Sequence, residues 1–119
     1  MEAALRTASY LMTGKNPDPD AFRTVRMEEG WRISELDMAG TKVRVAVSSG
    51  LNNARQLLEA IRSGEVQVDF VEIMACPGGC VAGAGTILPI KKAQTSVKQF
   101  KDQSKLQQAV ENPLVENNK

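Results

Sequence analysis

The sequence predicts an α/β fold: a small mixed sheet with an antiparallel hairpin and a right-handed strand–helix–strand crossover, flanked by helices. Three observations carry it. Val43, Val45 and Val47 alternate with Arg44, Ala46 and Ser48, the period-two pattern of a strand. Leu51, Ala54, Leu57–Leu58 and Ile61 then recur at helical spacing. Val66 to Met74 returns to β-branched and apolar residues, so strand, helix and strand follow with short links. Crossovers of that kind are right-handed in nearly every case.

The elements follow in order. Met1, Leu5, Ala8 and Leu11–Met12 keep helical spacing, and Thr13-Gly14 stops the helix. The two prolines of Asn16-Pro-Asp-Pro-Asp20 make a loop, with a short segment starting at Ala21. Trp31 to Asp37 reads as a strand, and Met38-Ala-Gly-Thr41 turns it back into the valine strand as a hairpin. Ser49 or Asn52 is placed to cap the following helix, Arg55 and Glu59 can pair one turn apart, and Gly64 fits its end. Phe70-Val-Glu-Ile-Met74 is apolar on both faces, which predicts a central strand. Ile90, Ala93, Val97 and Phe100 mark a basic amphipathic helix. Leu106, Ala109 and Val110 mark another, with Ser104 as its cap.

The totals restrict the function classes. With 119 residues the chain makes one domain with a modest core, and a net charge of +1 gives no electrostatic case for nucleic acid or an anionic membrane. No apolar stretch reaches the roughly 18–20 residues of a membrane span. The opening Met1-Glu-Ala-Ala-Leu-Arg6 lacks the basic and apolar regions of a signal peptide, so the cytoplasm is the expected compartment. There is no histidine, which removes the commonest general base and the commonest metal ligand together.

Attention therefore falls on the only two cysteines, Cys76 and Cys80, just past the end of the predicted central strand. In open α/β sheets ligands bind there. One reading is a pair of buried reduced thiols. That leaves their glycine-rich loop unexplained. A redox disulfide is another, although the usual redox spacing is C-x-x-C. The metal reading explains more: Pro77 sets the turn, while Gly78 and Gly79 let backbone approach a bulky inorganic group. Gly83 and Gly85 extend the small-residue lining. Iron–sulfur cubanes need four thiolates, however, and two are present.

Phe70-Val-Glu-Ile-Met-Ala-Cys-Pro-Gly-Gly-Cys80 resembles the third cysteine signature of the iron-only (di-iron, FeFe) hydrogenases, Glu-x-Met-x-Cys-x-Gly-Gly-Cys. Met1-Glu-Ala-Ala-Leu-Arg-Thr-Ala8 is similar to the segment after the family's second signature. Val45-Ala-Val-x-x-Gly-Leu-x-Asn-Ala54, Leu57-Leu-Glu and Ile61-x-x-Gly64 also follow the family pattern, so nearly the whole chain is covered. One stretch departs from it. Val81-Ala-Gly-Ala-Gly-Thr-Ile-Leu-Pro89 stands where the family has a glycine run and Gln-Pro, with Thr86 in the glutamine place.

The resemblance implies that residues 1–119 are a C-terminal fragment of a catalytic domain, frayed over about 113–119, whose other cysteine signatures lie upstream. The parent would be an anaerobic, ferredoxin-type oxidoreductase catalysing 2H⁺ + 2e⁻ ⇌ H₂. Its cofactor would be a four-iron four-sulfur cluster joined to a di-iron subsite carrying CO and CN. Cys76 would ligate the cubane. Cys80 would ligate it and bridge to the di-iron subsite, beside which Met74 would pack. Gly78, Gly79 and Gly83 would line the cavity, and Glu72 would serve as a structural carboxylate. Partners would be the upstream remainder, a ferredoxin-like electron carrier and protons. The isolated chain is expected to bind no cofactor, to be inactive, and to expose an apolar face along Met1–Met12 or Ile90–Phe100. The rival readings are a hydrogenase-like iron–sulfur protein of the sensory or cluster-assembly kind, and a cluster-free thiol or binding domain.

Overall fold

Thr41–Ser49 (β2) is the strand around which the chain is built. It pairs antiparallel with Trp31–Met38 (β1) and parallel with Phe70–Met74 (β3), giving a mixed sheet in the order β1-β2-β3. The computed structural model describes residues 1–26, 30–106 and 108–116. The hairpin turns at Ala39 and Gly40, with φ of 55° and 85°, the left-handed pair that suits a two-residue turn. Asp37 holds it by accepting the Gly40 N–H at 2.8 Å.

Alternation along β2 sends its side chains to two separate cores. Val45 and Val47 meet Leu36 and Met38 of β1, Phe22, Val25, and Leu5 of helix α1 (Glu2–Thr13). Ala46 faces the other way, onto Leu57 of helix α2 (Leu51–Ser63) and Val66. The sheet is thus covered on both sides, as an α/β layer requires. Both helices end as the sequence predicts, at Gly14 and Gly64 in left-handed conformations. The Arg55–Glu59 pair forms at 2.9 Å.

Four expectations are corrected. Strand β3 begins at Phe70 rather than Val66. Val66 is buried under α2 with its N–H on the Ala60 carbonyl, so it anchors the crossover and cannot extend the sheet. Second, β3 holds an edge of the described sheet and β2 is central. Third, neither Ser49 nor Asn52 caps α2. Gly50 occupies that place, and Asn53 Nδ2 donates to the Ser49 carbonyl at 2.7 Å. Fourth, Ser104 does not start a helix: its hydroxyl donates back to the Phe100 carbonyl at the end of α3 (Ile90–Gln103). Beyond it come a 3₁₀ turn, Ala109–Glu111, and a single helical turn, α4 (Pro113–Glu116). Part of the frayed stretch expected at the end, residues 117–119, lies outside the described residues.

The expected apolar exposure is present on both helices. Leu11 and Met12 of α1 face solvent, and so do Val97 and Phe100 of α3, which buries none of its residues. Among the described residues no helix is long and apolar enough to cross a membrane.

Candidate metal centre

Strand β3 ends at Met74, and the chain turns at once into the thiol loop. The Gly50 N–H donates to the Met74 carbonyl at 2.9 Å, so the start of α2 pins the strand's last residue. The loop contains no regular element. Its N–H groups close short turns instead, Gly79 onto the Cys76 carbonyl at 3.0 Å and Thr86 onto that of Gly83 at 3.1 Å.

Cys76 is half-buried, Cys80 is exposed, and both are free thiols. Between them Gly78 and Gly79 take φ of 78° and 80°, which L side chains rarely adopt. Space adds to the torsional restriction, severely at Gly78 and mildly at Gly79. A Cβ on Gly78 would lie 2.7 Å from Ile90 Cγ2, and one on Gly79 would lie 3.1 Å from Met74 Sδ. The two glycines thus let the loop settle against the strand end on one side and the first turn of α3 on the other. At Gly83 a Cβ would stand 3.5 Å from Cys76 Sγ, so hydrogen keeps open the space beside that sulfur.

Met74 packs onto the α1-side core, and Glu72 points to the same face of β3 two residues earlier. The Glu72 carboxylate accepts from the Met1 nitrogen at 2.6 Å. A cavity of about 660 Å³ opens on this side, reaching from Met74, Gly78 and Val81 to Val97 and Lys98 of α3. Cys76 and Cys80 are not among its lining residues, so thiols and cavity are neighbours across Gly78.

An ionic network ties α3 to the rest at the cavity rim. Arg26 Nε donates to Glu2 of α1 at 2.5 Å, and Arg26 also donates to Asp20. Lys101 of α3 reaches the same Asp20 oxygen at 2.7 Å. The hydrogen bond from Lys101, then that from Arg26, lowers the Asp20 carboxyl to about 2. The Arg26 guanidinium is pushed up, chiefly by Glu2.

Thiolates are soft donors suited to iron–sulfur chemistry. The loop offers two of them with small residues alongside. A cubane takes four, and among the described residues no three His, Cys, Asp or Glu side chains gather as a metal-binding group. The residues therefore fit such a cluster as half of its ligand set.

The structure brings Met74, Cys76, Gly78, Gly79, Cys80 and Gly83 together on one loop and the strand end before it. It adds Ile90, whose contact with Gly78 seats α3 on that loop. The sequence signal for it was the Pro89-Ile90 helix start, which says that a helix begins but not what it touches. Gly50 stands in the quoted family pattern, but its contact with the strand end is not encoded locally.

Residues 1–84 match the family described as iron only hydrogenase large subunit, C-terminal domain. The periplasmic Fe hydrogenase large subunit of Nitratidesulfovibrio vulgaris is 44% identical over 85 residues, which is 71% of this chain and 20% of that protein. A probable cytosolic Fe-S cluster assembly factor of Anopheles gambiae is 34% identical over 73 residues, 60% of this chain and 15% of that protein. Among solved structures, apo FeFe-hydrogenase HydA1 from Chlamydomonas reinhardtii superposes with a TM-score of 0.77 at 31% identity, covering 98% of this chain and 37% of that one. The chain thus spans about a fifth or less of the length of these curated relatives.

Proposed function

The chain belongs to the family of iron-only hydrogenase large subunits, in its C-terminal domain, and on that premise we propose that Cys76 and Cys80 supply two of four thiolates holding the active-site iron–sulfur cluster of a larger catalytic domain. The parent is a hydrogenase for 2H⁺ + 2e⁻ ⇌ H₂, and this chain by itself is inactive. The observation that carries the reading is the pair of free thiols on the loop after β3, with Met74 packed against Gly79 between them in sequence, inside the stretch that matches the family.

In this reading Cys76 would hold the four-iron cubane, and Cys80 would hold both the cubane and the di-iron subsite bearing CO and CN. The bound group supplies the hydrogen chemistry. The chain's own residues do the positioning. Gly78 and Gly79 hold both thiols on one short turn, Gly83 leaves room at the Cys76 sulfur, and Met74 walls the side towards the cavity. The missing thiolates come from the upstream remainder, and electrons from a ferredoxin-like carrier. The proposed compartment is the cytoplasm, where thiols such as these stay reduced.

Cluster assembly without hydrogen chemistry is the second reading. It is favoured by the match to the Anopheles protein and by Thr86 in the family's glutamine place, but the hydrogenase match is higher in identity and longer. Iron content and the infrared bands of bound CO and CN, measured on the anaerobically matured parent, separate them. The parent is expected to show both. Cys80→Ser should lose the CO and CN bands with the activity, because an alkoxide replaces a soft bridging thiolate poorly. Cys76→Ser should mainly lower iron content. A Cys80→Ser parent that keeps its bands and evolves hydrogen normally would falsify the bridging role. A parent with iron but no such bands would favour cluster assembly.

A further inference from the structure

Strand β3 contains one charged residue, Glu72, and it stands on the same face as Met74, towards the α1-side core. A carboxylate beside apolar neighbours costs free energy unless a donor meets it. Here the donor is the Met1 nitrogen at 2.6 Å, from a segment 71 positions away in sequence.

The start of α1 needs such an acceptor. The first N–H groups of a helix have no partner within it. Met1 is the N-cap residue, and no side chain caps the helix from its own segment. Glu72 therefore reaches in from the sheet to do what a capping serine or aspartate does elsewhere, and it sets negative charge at the positive end of the helix. Glu2, the acid of the first turn, is committed to Arg26 and Arg6.

This contact lies beside the thiols. Met1, Glu72, Met74 and Gly78 all line the cavity of about 660 Å³. Glu72 precedes Cys76 by four residues, and Gly78 stands between Cys76 and Cys80. Met1 and Met74 pack on the same core. In a longer chain the Met1 nitrogen is a peptide N–H, which still donates, and the residues before it enter at this cavity wall.

We propose that Glu72 is a positioning residue for the cluster: by accepting the Met1 N–H it fixes where the upstream chain of the parent enters beside the Cys76–Cys80 loop, and so how the two halves of the thiolate set stand to each other. The inference rests on the proposed reading in which upstream thiolates complete the site. Its physical basis is that groups behind the ligands orient them, and their removal commonly costs about 10–100-fold in metal affinity.

Glu72→Ala and Glu72→Gln in the anaerobically matured full-length parent test it. Val66→Ala, in the core on the other face of the sheet, controls for lost stability alone. Iron release to a chelator, exchange of the Met1 amide and Tm are read on each protein. The Glu72 side chain is 31% exposed, so its truncation leaves the cores filled. Glu72→Ala should speed iron release by about tenfold or more and should speed exchange of the Met1 amide. Glu72→Gln keeps an oxygen that accepts, and should restore both to near the unsubstituted parent. Val66→Ala should lower Tm and change neither. Iron release unchanged in Glu72→Ala, or sped equally by Val66→Ala, overturns the proposal and leaves Cys76 and Cys80 as ligands. Equal loss of iron from Glu72→Gln and Glu72→Ala overturns it too, since the accepted hydrogen bond would then not be what matters. A parent that takes up no iron overturns the hydrogenase reading, and this inference with it.

Discussion

Replacing Gly79 with alanine tests whether the thiol loop is held by the strand end beneath it. Gly79 is buried at φ 80°. Placing an L residue there costs about 1–2 kcal/mol from the left-handed torsion. The new methyl would sit 3.1 Å from Met74 Sδ, so the thioether must shift by a few tenths of an ångström. Methionine's rotatable chain absorbs such a shift at little further cost. The expected loss is therefore about 1–2 kcal/mol, a fall in Tm of roughly 4–8 °C for a domain of this size. Gly85 is the control. It has φ 86° but nothing within 4 Å of its Cβ position, and it is exposed. Gly85→Ala can relax its torsion by moving the loop into solvent and should cost less. Thermal unfolding by circular dichroism of both variants reads the difference. An unchanged Tm for Gly79→Ala would refute the claim that the loop is locked to Met74. Equal falls for both variants would show that the Met74 contact adds nothing.

Two further outcomes are expected. Leu57→Ala removes a side chain with no exposure and should destabilise the chain by about 2–5 kcal/mol in urea unfolding, whereas Leu58→Ala, half exposed on the same helix, should stay within about 0.5–1 kcal/mol; similar losses at both positions would mean that α2 packs through a different face. The Asp20 carboxyl should titrate near 2 rather than its ordinary 3.8. Because its folded pKa is lowered, its ties to Lys101 and Arg26 contribute above pH 3.8 and are lost as pH falls towards 2. Amide exchange in α3, compared at matched chemical rates, should therefore loosen across that window, and less so in high salt where the exposed groups are screened; a carboxyl midpoint near 3.8 by NMR would remove the network as an anchor of α3.

Local pattern was enough for much of this protein. The alternation of Val43, Val45 and Val47 determined β2 and its two-faced burial, because side chains on a strand alternate whatever surrounds them. Gly14 and Gly64 determined two helix ends, since a left-handed residue is needed where each helix stops. The thiol loop was legible for a similar reason: Cys76, Gly78, Gly79 and Cys80 lie within five consecutive residues, so their chemistry is written in spacing. What involves partners distant in sequence was decided by tertiary structure. Val66 looked like strand and became an anchor, because β-branched residues suit both a sheet and a buried crossover. Ser104 looked like a cap and closed the helix before it, since its hydroxyl can donate in either setting. The seat of Ile90 on Gly78 and the meeting of Lys101, Arg26 and Asp20 join segments far apart along the chain, and no local periodicity encodes such distances. The edge position of β3 is the clearest case. Its composition states how much apolar surface it must bury, but which neighbours bury it depends on how the rest of the sheet is assembled around it.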